Sequence, residues 1–220
     1  MSEPVKPTRR YESPRRRQQA ADTRRDILEA AQRLFEQQGY AATTMAAIAA
    51  EAGVSLKTVY LAVETKSNLL RALWHLLLRG DEDDVPISER QRYRDDLAEP
   101  DPERQLRLNA RNARAVKERA GALMGVIRSA APSDPELGAL WSRIQSDFYD
   151  NQRPFVESLQ AKNALRPGLD VTRGTDILWT LNHPDVWHLL VHVRGWSPGQ
   201  WQAWFAESVR LELLARPDAP

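Results

Sequence analysis

From residue 23 onward, apolar side chains recur at intervals of three and four, the spacing that lines one face of a helix. Ile27, Ala30, Ala31, Leu34 and Phe35 form the first such stripe, which Gly39 ends. The Thr23-x-x-Asp26 pair in front of it resembles a capping box with Asp in the role of Glu, predicting a first helix over 23–39. Thr44 is placed to cap a second helix whose Met45, Ile48, Ala49 and Ala52 face inward and which stops at Gly53. Ser55 is placed to cap a third. A fourth follows over 66–78, with a long apolar stripe of Leu69, Leu70, Leu73, Trp74, Leu77 and Leu78.

The remaining text is helical between Pro-containing breaks at "EPDPER", "APSDPE", "LRPGLD", "NHPD" and "GWSPGQ". These breaks predict helices near 102–119, 121–130, 135–162, 171–182, 184–193 and 198–215. No segment alternates like a strand, and no internal repeat is present. The expected fold class is all-α.

Charge changes the picture only locally. The formal net charge is +1, but residues 1–25 hold eight basic side chains against three acidic ones, a local charge of +5. A basic flexible arm is expected over 1–19. Arg15, Arg16 and Arg17 have two readings, as a tracker of phosphates or the minor groove and as a disordered tail that adds general affinity. Asp81, Glu82, Asp83 and Asp84 read as a solvated connection. The chain has no cysteine, which removes disulfides, thiolate nucleophiles and Cys-ligated zinc. No run of eighteen apolar residues and no signal-like N-terminus occurs, so no membrane partner is expected and the cytoplasm is the expected compartment.

The short stretch "IAAEAGVSLKTVYLAV" is where function shows. In a helix-turn-helix, a small residue lets two helices cross closely, a Gly makes the turn, and apolar residues lock the second helix to the first. Ala49, Gly53, Val54 and Val59 suit those roles. Ser55, Leu56, Lys57, Thr58 and Tyr60 are then left to enter a major groove of double-stranded DNA, where hydroxyls and a cation can meet bases and phosphates.

Residues 23–70, from "TRRDILEAAQRLFEQQGY" through "TTMAAIAAEAGVSLKTVY", resemble the N-terminal domain of TetR-type transcriptional regulators. The resemblance implies an N-terminal three-helix helix-turn-helix DNA-binding domain over 20–65, joined to a C-terminal helical ligand-binding and dimerisation domain over 66–220. It implies phosphate contacts at Thr44 and Lys66 and a backbone contact at Tyr60, and Arg24 lies in the matched start of helix one. Where the family often reads Tyr-x-Tyr/His-Phe after the recognition helix, this chain reads Tyr60-Leu61-Ala62-Val63, which bears on base preference.

The last segment is similar to one branch of such regulators, in which the two final helices pair to make a homodimer. Trp179, Trp187, Trp196, Trp201, Trp204 and Phe205 are its candidate interface aromatics. A small organic effector is expected among Met124, Ile127, Arg128, Trp141, Phe148, Tyr149, Trp179, Asn182 and His183, apolar walls with sparse polar groups. No cofactor is expected. His188-x-x-x-His192 with His183 is a weak metal pattern, and no phosphate loop, nucleophile elbow or paired carboxylate marks an enzyme. The expected function is a repressor released from a near-palindromic operator by its effector. An activator, a regulator without effector, an all-helical enzyme and a metal-binding protein are the alternatives.

Overall fold

The computed structural model describes residues 14–79 and 90–215, which divide into two compact units, 1–69 and 70–220. In the first unit α1 (Pro14–Ala42) runs until Gly39, whose φ of 78° and ψ of 175° break the helical path. Then come α2 (Met45–Glu51) and α3 (Leu56–Val63). Ile27, Ala30, Ala31 and Phe35 of α1, Ile48 and Ala49 of α2 and Val59 of α3 are buried, so the three inward stripes make one small core. The helix α4 (Lys66–Arg79) begins in the first unit and continues into the second.

The second unit holds α5 (Gln91–Ala98), α6 (Pro102–Ala130), α7 (Pro135–Asp150), α8 (Arg153–Ala161), α9 (Val171–Leu181), α10 (Pro184–Trp187) and α11 (Pro198–Leu213). A 3₁₀ turn (Ala131–Ser133) joins α6 to α7, and α10 continues as a π-helical turn (His188–Val193). Its core packs α6, α8, α9 and α11 together through Leu106, Val156, Leu159, Leu178, Trp201 and Phe205, all at most 2% exposed. The loop after α8 is pinned to the end of α11, where Arg166 N donates to Leu213 O (2.8 Å) and Ala215 N to Ala164 O (2.9 Å).

Several sequence expectations are corrected. The first helix starts at Pro14, so Thr23 lies inside it and caps nothing, and Arg15, Arg16 and Arg17 are exposed on that helix and not part of a flexible arm reaching to residue 19. Residues 1–13 and the acidic run 81–84 lie outside the described residues. The expected helices over 102–119 and 121–130 are one helix, because Gly121 sits in its interior against Trp187. The expected helix over 135–162 is two, because Pro154 opens α8 and has no N–H to continue α7. Helix α5 was not foreseen. The 184–193 segment changes from α to π at His188. Trp201 and Phe205, expected at an interface, stack at 4.9 Å and are buried within the single chain.

Helices α8 and α9 meet at Gly174, where an added Cβ would lie 2.8 Å from Cγ1 of the fully buried Val156. Gly174→Ala raises helix propensity by about 1 kcal/mol but forces that contact apart, an overpacking cost of about 1–3 kcal/mol. Its melting temperature should fall below that of the parent, at about 2–4 °C per kcal/mol of net loss, in a thermal scan followed by circular dichroism.

Candidate functional site

Two places concentrate chemistry, one in each unit. In the first, α2 and α3 are bent from one another by 108° about the four-residue turn 52–55, in which Gly53 adopts φ 66°. A β-carbon is disfavoured at that φ, and the turn needs it. Thr44 Oγ1 accepts from Ala47 N (3.0 Å) and Ser55 Oγ accepts from Thr58 N (3.1 Å), so both hydroxyls cap the helices that they precede. The Ser55 and Thr58 hydroxyls also bond one another at 2.7 Å.

Val59 and Val63 hold α3 inward. The opposite face presents Leu56, Lys57 and Tyr60, all exposed, together with Leu61, which is 77% exposed and was not singled out from the sequence. So exposed a leucine has no folding role here, and its position one step beyond Tyr60 was the available signal. Arg24 on α1 donates to Ala62 O at the end of α3, and an open cleft of about 490 Å³ between α1 and α3 is lined by Arg16, Gln19, Thr23, Arg24, Thr58 and Leu61, among others.

Lys66 sits differently from the sequence expectation. Its Nζ donates to Tyr40 O (2.8 Å) and Thr43 O (2.9 Å) and lies 4.1 Å from the centroid of the Tyr40 ring. The ammonium thus ties the segment after Gly39 to the start of α4.

With the outward face and its caps in view, known proteins can be compared. The profile "Bacterial regulatory proteins, tetR family" matches residues 27–73. Residues 27–73 are a tetR-family domain. The HTH-type transcriptional regulator AcrR of Shigella flexneri is 42% identical over 60 residues, which span 27% of this chain and 28% of that protein. Over the whole fold, NalD of Pseudomonas aeruginosa, described as the secondary repressor of the MexAB-OprM multidrug efflux pump, superposes with a TM-score of 0.68 at 19% identity, covering 90% of this chain and 98% of NalD. A transcriptional regulator of Saccharomonospora viridis in complex with choline gives 0.66 at 17% identity, covering 89% of this chain and 100% of that one. The all-helical fold of this protein is therefore that of TetR-type regulators over both units.

The second place is a polar cluster inside the C-terminal unit. Lys117, on α6, is 8% exposed. Its Nζ donates to Asn182 Oδ1 (2.5 Å) and lies 4.8 Å from the Trp201 ring and 5.8 Å from the Phe148 ring. Asn182 Nδ2 donates in turn to Gln152 Oε1 at 3.2 Å. His183 packs against Trp179 (4.9 Å between centroids) and Phe148 (6.4 Å), and Tyr149 packs against Trp179 and donates to Asp176 (2.9 Å). Arg128 pairs with Asp185, beside His183 at the edge of the cluster.

Of the effector residues expected from sequence, Phe148, Tyr149, Trp179, Asn182 and His183 are brought together, with Arg128 at the rim. Met124 and Ile127 are buried farther along α6, and Trp141 makes no aromatic contact with the cluster among the described residues. Sequence reasoning missed Lys117, Gln152 and the inward role of Trp187 and Trp201. The signal was present, because Lys117 falls in register with Ala110, Ala113, Ala120 and Met124 on the apolar stripe of α6. His188 and His192 are exposed and face each other at 5.6 Å, and no metal-binding group of three or more such side chains occurs among the described residues. Nor, among them, is any single helix long and apolar enough to cross a membrane.

Burial pushes the Lys117 ammonium down from its ordinary 10.5 to about 7. Burial, and then the Lys117 and Arg128 charges, also holds His183 below its usual value. An unfolded lysine keeps its proton up to about pH 10, so between about 7 and 10 the unfolded chain binds more protons and folding stability rises with pH. Below about 7 both states are protonated and the penalty is constant. Lys117→Met removes this dependence. The stability gap in favour of Lys117→Met, measured by urea unfolding at fixed protein concentration, should be widest at and below neutral pH. It should narrow toward pH 9 with a limiting slope of about 1.4 kcal/mol per pH unit.

Proposed function

We propose that the protein is a homodimeric one-component transcriptional repressor that holds a near-palindromic operator through α3 of each subunit and leaves it when a small organic effector enters the second unit. The observation that carries this reading is the α3 face, an exposed row of Leu56, Lys57, Tyr60 and Leu61 behind which Val59 and Val63 are fully engaged in the core. Helix N-termini capped by Thr44 and Ser55 favour phosphate next to that face. Lys57 and Tyr60 read the major groove, and Arg16 and Arg24 beside the cleft of α1 neutralise phosphates. Lys66 acts indirectly, by fixing the segment before α2.

The link between effector and DNA runs through α4. Arg119, two residues after Lys117 on α6, donates from Nε to Leu77 O (3.3 Å) and from Nη2 to Leu78 O (3.5 Å), at the C-terminal end of α4. A ligand that moves α6 at Lys117 therefore pulls on the end of a helix whose start, at Lys66, belongs to the tetR-family domain. DNA affinity changes by the difference in effector affinity between the two arrangements.

Leu189 and Val193 on the π-helical turn are 56% and 61% exposed, and Leu211 on α11 is 43% exposed, with Trp196 and Trp204 partly exposed on the same terminal elements. A second copy of the chain covers these side chains in the proposed dimer.

Tyr60→Phe and Lys57→Ala should each weaken binding to an operator fragment selected from genomic DNA by about ten- to a hundredfold, with circular dichroism and melting unchanged. Fluorescence anisotropy at fixed salt decides this, and unchanged affinity in both variants sinks the assignment of α3 as the reading helix. Leu189→Arg combined with Val193→Arg should give a folded monomer in sedimentation velocity that has lost operator binding, since both positions are exposed in the single chain. A persistent dimer would move the interface elsewhere.

A further inference from the structure

The interior cluster around Lys117 is supplied almost entirely with hydrogen-bond donors. The indole N–H groups of Trp187, Trp201 and Trp179 find no acceptor among the described residues, and the first two rings are 4% and 0% exposed. The Trp187 and Trp201 rings meet edge-on at 5.0 Å, and the Lys117 ammonium lies over Trp201. His183 Nδ1 accepts from Asp185 N at 3.2 Å, and the Gln145 amide nitrogen, another donor, lies 3.5 Å from His183 Nε2. The acceptors on hand are the amide oxygens of Asn182 and Gln152, and each is already taken. The carboxylate beside the cluster, Asp185, is half-exposed and engaged by Arg128. A buried ammonium and several buried N–H groups without an opposite charge form an unfavourable arrangement that one ligand chemistry relieves.

The Trp187 indole meets α6 one helical turn along from Lys117. Gly121 follows Lys117 by four residues and therefore lies on the same face, and an added Cβ there would meet within 4 Å only the Trp187 indole, with Nε1 at 3.7 Å. Gly121 is itself partly exposed, so this side of the cluster reaches the surface.

We propose that the Lys117 cluster binds an organic monoanion, a carboxylate carried on a flat apolar body. The carboxylate takes bonds from Lys117 Nζ and the Trp187 N–H, and the body lies against the Trp179 and Phe148 rings. This ligand class rests on the reading of the second unit as the effector site. A cationic ligand is disfavoured because the Lys117 side chain itself covers the aromatic face of Trp201 that would receive it, and among the described residues no carboxylate lies inside the cluster to pair with it. Because the unliganded Lys117 is largely neutral above about pH 7, an arriving carboxylate restores its charge and draws a proton from solvent.

Isothermal titration calorimetry of the full-length protein with three probes on one scaffold tests this: 3-phenylpropanoate, its primary amide, and phenethyltrimethylammonium. The carboxylate should bind at least about tenfold more tightly than the amide, and the cation should bind more weakly than either. Repeating the carboxylate titration near pH 8 in phosphate and Tris, which differ in ionisation enthalpy, should reveal uptake of up to about one proton per site. Lys117→Met should abolish both the carboxylate preference and the proton uptake, and Gly121→Val, which fills the space beside Trp187, should weaken the carboxylate by about tenfold or more.

An amide or cation that binds as well as the carboxylate, no heat from the carboxylate, or a preference retained in Lys117→Met would each overturn the proposal. Operator binding is measured separately by anisotropy with and without 3-phenylpropanoate. Carboxylate binding at Lys117 that leaves operator affinity unchanged upholds the anion site and removes its effector role, whereas loss of all specific DNA binding removes the regulator reading alone.

Discussion

A lysine ammonium in an aromatic interior, with an amide oxygen as its only hydrogen-bond acceptor among the described residues, is the interaction on which the second unit turns. Everything around Lys117 is arranged as a consequence. Asn182, which ends α9, points its oxygen inward and hands its amide protons to Gln152 at the joint of α7 and α8. Trp201 offers its ring face, and Phe148 its ring at longer range. One charge thus engages three segments of chain directly, and each makes a partial substitute for the water that the ammonium lost. Partial is the operative word, because burial still drives the proton affinity of Lys117 far down. A methionine would fill the same volume without that cost, so the retained charge points to a task other than stability.

In the first unit the side chains assigned to recognition in the proposed regulator also serve folding. The Ser55 hydroxyl is consumed in capping α3 and in the bond with Thr58, and Thr44 caps α2 in the same way. Capping fixes the direction in which the free N–H groups of each helix start point. Lys66 takes a different part: by joining the carbonyls of Tyr40 and Thr43, it sets the stretch from which α2 departs. Leu56, Lys57, Tyr60 and Leu61 are the side chains exposed on α3.

What was legible in the sequence was local. Thr44, Ser55, Asp101, Asp134, Asp170 and Ser197 all accept from helix-start N–H groups, because a short acceptor before a periodic run has one economical use. The helix-turn-helix was legible for the same reason, since Gly53 and its flanking stripes act over a few residues. Features settled by distant packing were not. Gly121 reads as a stop, yet it lies within a 29-residue helix because Trp187 packs against it from the end of α10. Lys117 falls on the apolar stripe of α6, but its partners Asn182, Trp201 and Phe148 come from distant parts of the chain that the stripe does not name. Of the terminal aromatics, Trp201 and Phe205 turned inward because their stripe with Val209 and Leu213 recurs at the spacing of a buried face, a pattern that was visible but outweighed by their number. Of the expected effector set, Phe148, Tyr149, Trp179, Asn182 and His183 lie together, and the sequence reading missed the lysine beside them.

The contact between Arg119 and the end of α4 sets a scale for how the two sites communicate in the proposed regulator. Arg119, half a helical turn beyond Lys117, makes two long, solvent-exposed bonds to backbone carbonyls, each worth about 0.5–1 kcal/mol. An effector that favours one setting of this contact by about tenfold commits about 1.4 kcal/mol, which lies within what the contact can carry. In a symmetric dimer two such sites act on one operator-bound state, so the same modest preference multiplies to about a hundredfold change in DNA affinity. No large rearrangement of the tetR-family domain is required. It is enough that the charge state and position of one lysine bias α6, and that α6 holds the far end of the helix with which the DNA-reading unit closes.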